Sequence, residues 1–82
     1  MRVLIDETVY EGSAVEILDQ LRALTFDPQE FPSTDAYIRF LQDSIRRMTD
    51  LPCELPAGSV EQRAAALLET LERIGALERL AA

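Results

Sequence analysis

Few side chains in this sequence could take part in covalent chemistry. The 82 residues include one cysteine, Cys53, and no histidine. The common zinc-ligand sets and the Ser-His and Cys-His nucleophile pairs are therefore missing, and one cysteine cannot form a disulfide within the chain. A reactive thiolate needs a nearby positive charge or a helix N-terminus, whereas Cys53 lies between Pro52 and Glu54. We expect a buried, unreactive thiol; a redox-sensing cysteine is the alternative.

The tripeptide Asp43-Ser44-Ile45 is a second candidate. An acidic, helical chain of this length with such a tripeptide resembles an acyl carrier protein, and the resemblance implies that Ser44 carries phosphopantetheine. The carrier serine opens a helix after a glycine-containing loop, whereas Ser44 falls in the middle of a predicted helix. We therefore interpret Ser44 as a small residue that lets another helix approach and bonds the carbonyl one turn earlier. A carrier-like or enzyme accessory domain using Ser44 or Cys53 remains the alternative function.

Two groups of carboxylates could bind a cation or exchange a proton. Asp6, Glu7 and Glu11 lack the ligand spacing of a calcium loop, so we interpret them as part of a solvated turn. Glu69 and Glu72 lie three residues apart on the outer side of a predicted helix, away from the desolvated cleft that a catalytic acid requires. The sequence therefore predicts no catalytic, cofactor-binding or metal-binding residue, no cofactor, and a protein that is not an enzyme.

Charge and hydropathy restrict the partners. Fifteen acidic and eight basic residues give a net charge of −7, which opposes nucleic-acid phosphates and anionic lipid surfaces. Hydrophobic residues make up 48% of the chain and charged residues 28%, a globular composition without the apolar run of a membrane span. Only three apolar residues follow Met1-Arg2 before Asp6, so we expect no signal peptide and a cytoplasmic location.

The elements that would position these residues begin with a β-hairpin over residues 2–11. Two β-prone runs flank Asp6-Glu7, and a two-residue loop would place Arg2 opposite Glu11, a favourable cross-strand pair. Glu7 resists the positive φ that such a turn requires, so a four-residue loop is the alternative.

Three helices should follow, at about residues 14–25, 34–49 and 60–74. Ser13 and Ser59 each begin a capping box, Ser33 or Thr34 caps the second helix, and Gly75 should end the third in a left-handed conformation. Phe26 and Phe31 should anchor the first loop to the core. The tail, residues 76–82, could be extended, form a short turn, or add a third strand to the hairpin.

The sequence predicts one domain over residues 1–82 that is mainly helical: a small α+β fold with an N-terminal hairpin followed by a three-helix bundle. The second helix should be the core wall, with Phe40 and Leu41 in the middle of its apolar stripe. The stripe consists of Tyr37, Phe40, Leu41, Ser44, Ile45 and Met48, with Ile38 beside it. The three helices carry more apolar residues than one small core needs. We therefore expect an interaction module that binds a protein partner or forms a homodimer through apolar surface.

Overall fold

The computed structural model describes residues 1–25, 28–50 and 53–80. Its elements are β1 (Arg2–Ile5), β2 (Thr8–Glu11), α1 (Ala14–Ala23), α2 (Thr34–Thr49), α3 (Val60–Arg73) and β3 (Glu78–Arg79), with a short 3-10 turn at Pro28–Glu30. This is the small α+β fold expected from the sequence. Each helix contacts the other two, and α1 also contacts β2. The arrangement of the helices as a regular bundle stays a prediction.

The hairpin has the register that the two-residue loop predicts. Arg2 lies opposite Glu11, with the Arg2 Nε 2.7 Å from the Glu11 Oε1. Asp6 and Glu7 form the turn with φ of 49° and 66°, so both are left-handed, as a type I′ turn requires. The four-residue alternative is wrong because the strand pairing continues up to the residues that flank this turn.

The tail provides a third strand. β3 pairs antiparallel with β1 and gives the order β2-β1-β3, with Leu4 opposite Glu78. Gly75, at φ +83°, turns the chain from α3 toward the sheet. The Gly75 N–H donates to the Glu72 carbonyl at 3.2 Å and the Ala76 N–H to the Leu71 carbonyl at 2.9 Å, the two bonds of a Schellman motif. The third-strand interpretation of the tail is confirmed for Glu78–Arg79, and the Leu80 N–H donates to the Arg2 carbonyl at 2.9 Å; residues 81–82 lie outside the described residues.

α1 begins at the predicted capping box but ends two residues earlier than expected. The Ser13 Oγ accepts the Glu16 N–H at 3.1 Å. At the other end the Leu24 N–H bonds the Leu21 carbonyl, a tighter final turn that leaves the Leu24 side chain 69% exposed. Leu24 therefore lies outside the buried side of α1. Phe31 is buried in the core as expected, whereas Phe26 lies outside the described residues.

Polar contacts hold the N-terminal end of α2 to its neighbours. The Thr34 Oγ1 donates to the Asp19 Oδ1 of α1 at 2.5 Å. Arg63 of α3 forms an ion pair and hydrogen bond with Asp35, in the first turn of α2. These contacts fix the direction from which α1 and α3 approach α2, and so determine which side of α2 they cover.

The core side of α2 is rotated from the predicted stripe. Ile38 and Ile45 are 0% and 4% exposed, whereas Phe40 is 41% and Met48 80% exposed, and Leu41 is only partly buried. The prediction that Phe40 and Leu41 form the centre of the core wall is therefore wrong. The apolar positions of α2 span roughly 160° at 100° per residue, an arc wider than α1 and α3 cover. Phe40 lies at the uncovered edge of this arc, whereas Met48 lies in the last turn of α2.

Candidate functional site

The uncovered apolar residues of α2 form a continuous line. Phe40, Ser44 and Met48 follow at i, i+4 and i+8, so they lie one above another on consecutive turns. We call this line the α2 strip. Ser44 is half-buried, whereas Phe40, one turn before it, and Met48, one turn after it, are exposed. A large apolar side chain therefore lies at each end of the strip, with a small residue between them.

An aromatic cluster holds one end of the strip. The Phe40 ring centroid lies 4.7 Å from that of Phe31 and 6.1 Å from that of Tyr37, and the Phe31 and Tyr37 rings meet edge-on at 5.3 Å. The Arg22 Nη1 donates to the Phe31 carbonyl at 3.0 Å, which ties the loop before α2 to α1. Because Phe31 and Tyr37 are buried, Phe40 presents its exposed side from a fixed support.

Charged residues border the strip on its solvent side. Asp43 and Arg47 are exposed and lie one turn apart, next to Ser44. Within the described ranges neither Arg46 nor Arg47 is in an ion pair, whereas the other arginine of α2, Arg39, lies 3.6 Å from Asp35. Among the described residues, the last turn of α2 therefore carries two arginines that are in no ion pair, in a protein of net charge −7.

The structure does not give Ser44 the placement that the carrier resemblance implies. Ser44 lies in the middle of α2, ten residues after Thr34, instead of at the start of a helix. Nor does its hydroxyl bond the Phe40 carbonyl as expected; in the part of the chain that is described, the Ser44 hydroxyl takes part in no hydrogen bond. Its small, half-buried side chain lies between Phe40 and Met48 along α2.

Cys53 is buried, with 2% of its surface exposed. Burial raises the pKa of the Cys53 thiol, and the opposing effects of Arg46, Arg73 and a hydrogen bond with Thr70 do not cancel it. The Gln42 Nε2 donates to the Cys53 carbonyl at 2.5 Å and holds this segment against α2. The expected burial is confirmed, although the structure does bring arginines near the thiol that the neighbouring sequence did not reveal.

The carboxylates remain apart. Asp6 and Glu7 are exposed at the hairpin turn, and Glu69 is exposed on α3. The Glu72 Oε1 lies 3.8 Å from the Arg79 Nε, so the Glu72 carboxylate forms an ion pair with an arginine of β3. Among the residues that the structure describes, no group of three His, Cys, Asp or Glu side chains could hold a metal ion.

Comparison with known proteins adds no assignment. The chain matches no protein family, no curated protein and no solved structure. In the described ranges, no helix is both long and apolar enough to cross a membrane. The sequence predicted a surplus of apolar residues, and the structure identifies Phe40 and Met48 of the α2 strip as exposed members of that surplus.

Proposed function

We propose that this protein is a small interaction module, acting as an adaptor, regulator or small subunit without catalysis of its own, and that it binds protein through the α2 strip. The observation that carries the proposal is the outward position of Phe40 and Met48, 41% and 80% exposed, on a helix whose other face is buried in the core. Burying such surface on a partner removes apolar area from water, which is the dominant favourable contribution in most protein–protein associations.

The support beneath the strip favours this function. Binding loses free energy when side chains must be ordered at the interface, and Phe40 is already ordered by its contacts with Phe31 and Tyr37. Met48 is unbranched and adapts to irregular partner surfaces, a property common at protein-binding sites. Aromatic residues, methionine and arginine are also enriched in protein interfaces, and Arg47 borders the strip. We propose the cytoplasm as the location of this module.

A photo-crosslinking experiment tests the proposal. Benzoylphenylalanine would replace Met48 in the full chain, expressed in the native host, and the matched control would carry the same group at Glu69, an exposed position on α3. We expect a discrete polypeptide adduct from position 48 and none from position 69. The adduct should disappear when Phe40→Gln is added, with circular dichroism confirming that the variant folds. Equal adducts from both positions, or none from position 48, would contradict the proposal.

The alternative function is a carrier-like or accessory domain using Ser44 or Cys53. The intact mass of the protein distinguishes a carrier from an interaction module. Co-expression with a phosphopantetheinyl transferase should leave the 9.2 kDa chain unmodified, because Ser44 lies in the middle of α2. A gain of one phosphopantetheine group that is lost in the Ser44→Ala variant would support the carrier function instead.

A further inference from the structure

We propose that the partner at the α2 strip is a second copy of this chain, packed antiparallel about a two-fold axis at Ser44, with Asp43 of each copy facing Arg47 of the other. This inference rests on the proposed function and specifies its partner. The structure contributes three observations: the symmetry of the strip about Ser44, the charges on its open flank, and the closure of the competing sheet edge.

The strip is symmetric about Ser44. Phe40 lies four residues before it and Met48 four residues after it, so both are one turn away along the same line. A two-fold axis perpendicular to α2 at Ser44 therefore places each Phe40 opposite Met48 of the other copy. The small serine lies where the two helices cross, which allows the close approach that helix packing at 8–10 Å requires. The exposed apolar residues of both copies are then covered at once.

The charges on the open flank are complementary under the same operation. Ile38 and Ile45 occupy the opposite flank and are buried in the protein's own core, so the flank with Asp43 and Arg47 is the one that can meet a second copy. A perpendicular two-fold axis places the same flank of the two helices side by side, and the two helices then run in opposite directions. Asp43 lies one residue before the two-fold axis, and Arg47 lies three residues after it. The two-fold rotation brings Arg47 of the other copy to the level of the third residue before the axis. Asp43 of one copy and Arg47 of the other are then two residues apart in height, about 3 Å along the helix. Two reciprocal ion pairs result.

Among the described residues, two features make the sheet less suited than α2 to self-association. β3 already covers one edge of β1, and on the β2 edge the Glu11 carbonyl accepts the Gln20 Nε2 at 2.9 Å. Pairing of β2 with its own copy about Val9 would place Glu11 opposite Glu7, two like charges. These features protect the edge from strand addition. Within the described ranges, the other exposed large apolar side chains belong to different parts of the chain: Met1 before β1, Val9 on β2, Leu24 after α1 and Val60 at the start of α3.

Charge reversal tests the arrangement. Asp43→Arg and Arg47→Asp would be made separately in the full chain, and dissociation constants would be measured by sedimentation equilibrium at low ionic strength. Each variant alone should self-associate at least about tenfold more weakly than the original chain, because like charges then face each other across the axis. An equimolar mixture of the two variants should recover association, since both pairs become attractive in the mixed dimer. Recovery shows that both variants fold. Glu69→Arg on α3 is the matched control and should leave association unchanged.

A disulfide tests the axis directly. Ser44→Cys places a thiol beside its own symmetry mate and should give a covalent dimer on mild oxidation, whereas Arg39→Cys, exposed on another side of α2, should not. A monomer at every accessible concentration would overturn the inference, as would a dimer that neither responds to charge reversal nor forms the disulfide. If that monomer still gives the photo-adduct at position 48 with another polypeptide, the proposed function stands without the dimer. If it gives none, both fail.

Discussion

Glu61 should stabilise the fold by capping a helix to which it does not belong. It lies in the first turn of α3, yet its Oε1 accepts the Ala14 N–H at 2.9 Å and its Oε2 accepts the Val15 N–H at 3.2 Å. These are the first two amides of α1. The Ser13 Oγ accepts the Glu16 amide, and the Glu61 carboxylate accepts the two amides before it, so these donors at the start of α1 all have acceptors.

The size of the effect follows from those contacts. Hydrogen bonds to a charged acceptor contribute about 1.5–3 kcal/mol when they are buried, but Glu61 is exposed and water competes for its oxygens. A carboxylate at a helix N-terminus adds about 0.3–1 kcal/mol. We therefore expect Glu61→Ala to lower the free energy of unfolding by about 1–2 kcal/mol, a large fraction of the stability of so small a protein. The midpoint of thermal unfolding should fall by about 4–16 °C.

Urea and thermal unfolding monitored by circular dichroism would measure this loss. The matched control is Glu69→Ala, which removes an exposed glutamate from the same helix and should change stability by less than about 0.5 kcal/mol. The Glu61→Gln variant retains one amide oxygen and should lose less than Glu61→Ala. If Glu61→Ala and Glu69→Ala have equal effects, Glu61 does not cap α1.

The other predictions concern the core, the turn and the thiol. Ile38→Ala should cost about 2–5 kcal/mol, because Ile38 is fully buried, while Phe40→Ala should cost less; the opposite order in urea unfolding would mean that the predicted stripe is the core face after all. Glu7→Gly should stabilise the hairpin by about 0.5–1 kcal/mol because glycine accepts the φ of 66° without strain, and Glu7→Ala, which keeps a Cβ, should give no such gain. Because burial raises the pKa of the Cys53 thiol, the folded state binds its proton more tightly than the unfolded state does. Stability should therefore decline as the pH rises above the ordinary thiol value of 9.0, and it should decline less in Cys53→Val; equal declines between pH 7 and about pH 10 would refute this reasoning.

Local chemistry was sufficient to predict much of the fold. The hairpin register follows from a two-residue loop and the Arg2–Glu11 pair, and Ser13 and Ser59 cap their helices through residues three positions away. The exposed side of α2 could not be predicted in this way. Its apolar arc includes both Ile45 and Phe40, and only the directions of α1 and α3 decide which is covered. The capping of Ala14 by Glu61 spans 47 residues, beyond the reach of any local pattern.

The net charge explains why an apolar surface, and not a charged one, should dominate association. Two copies with a net charge of −7 repel each other at long range, and salt screens that repulsion at separations beyond the Debye length, about 8 Å at physiological ionic strength. Salt also weakens the attraction between Asp43 of one copy and Arg47 of the other, which lie at the exposed border of the strip. Salt therefore favours association through the first effect and opposes it through the second. In the proposed dimer the apolar contact of Phe40 with Met48 depends little on either effect, so it should set the affinity, while the ion pairs should set the direction of the helices.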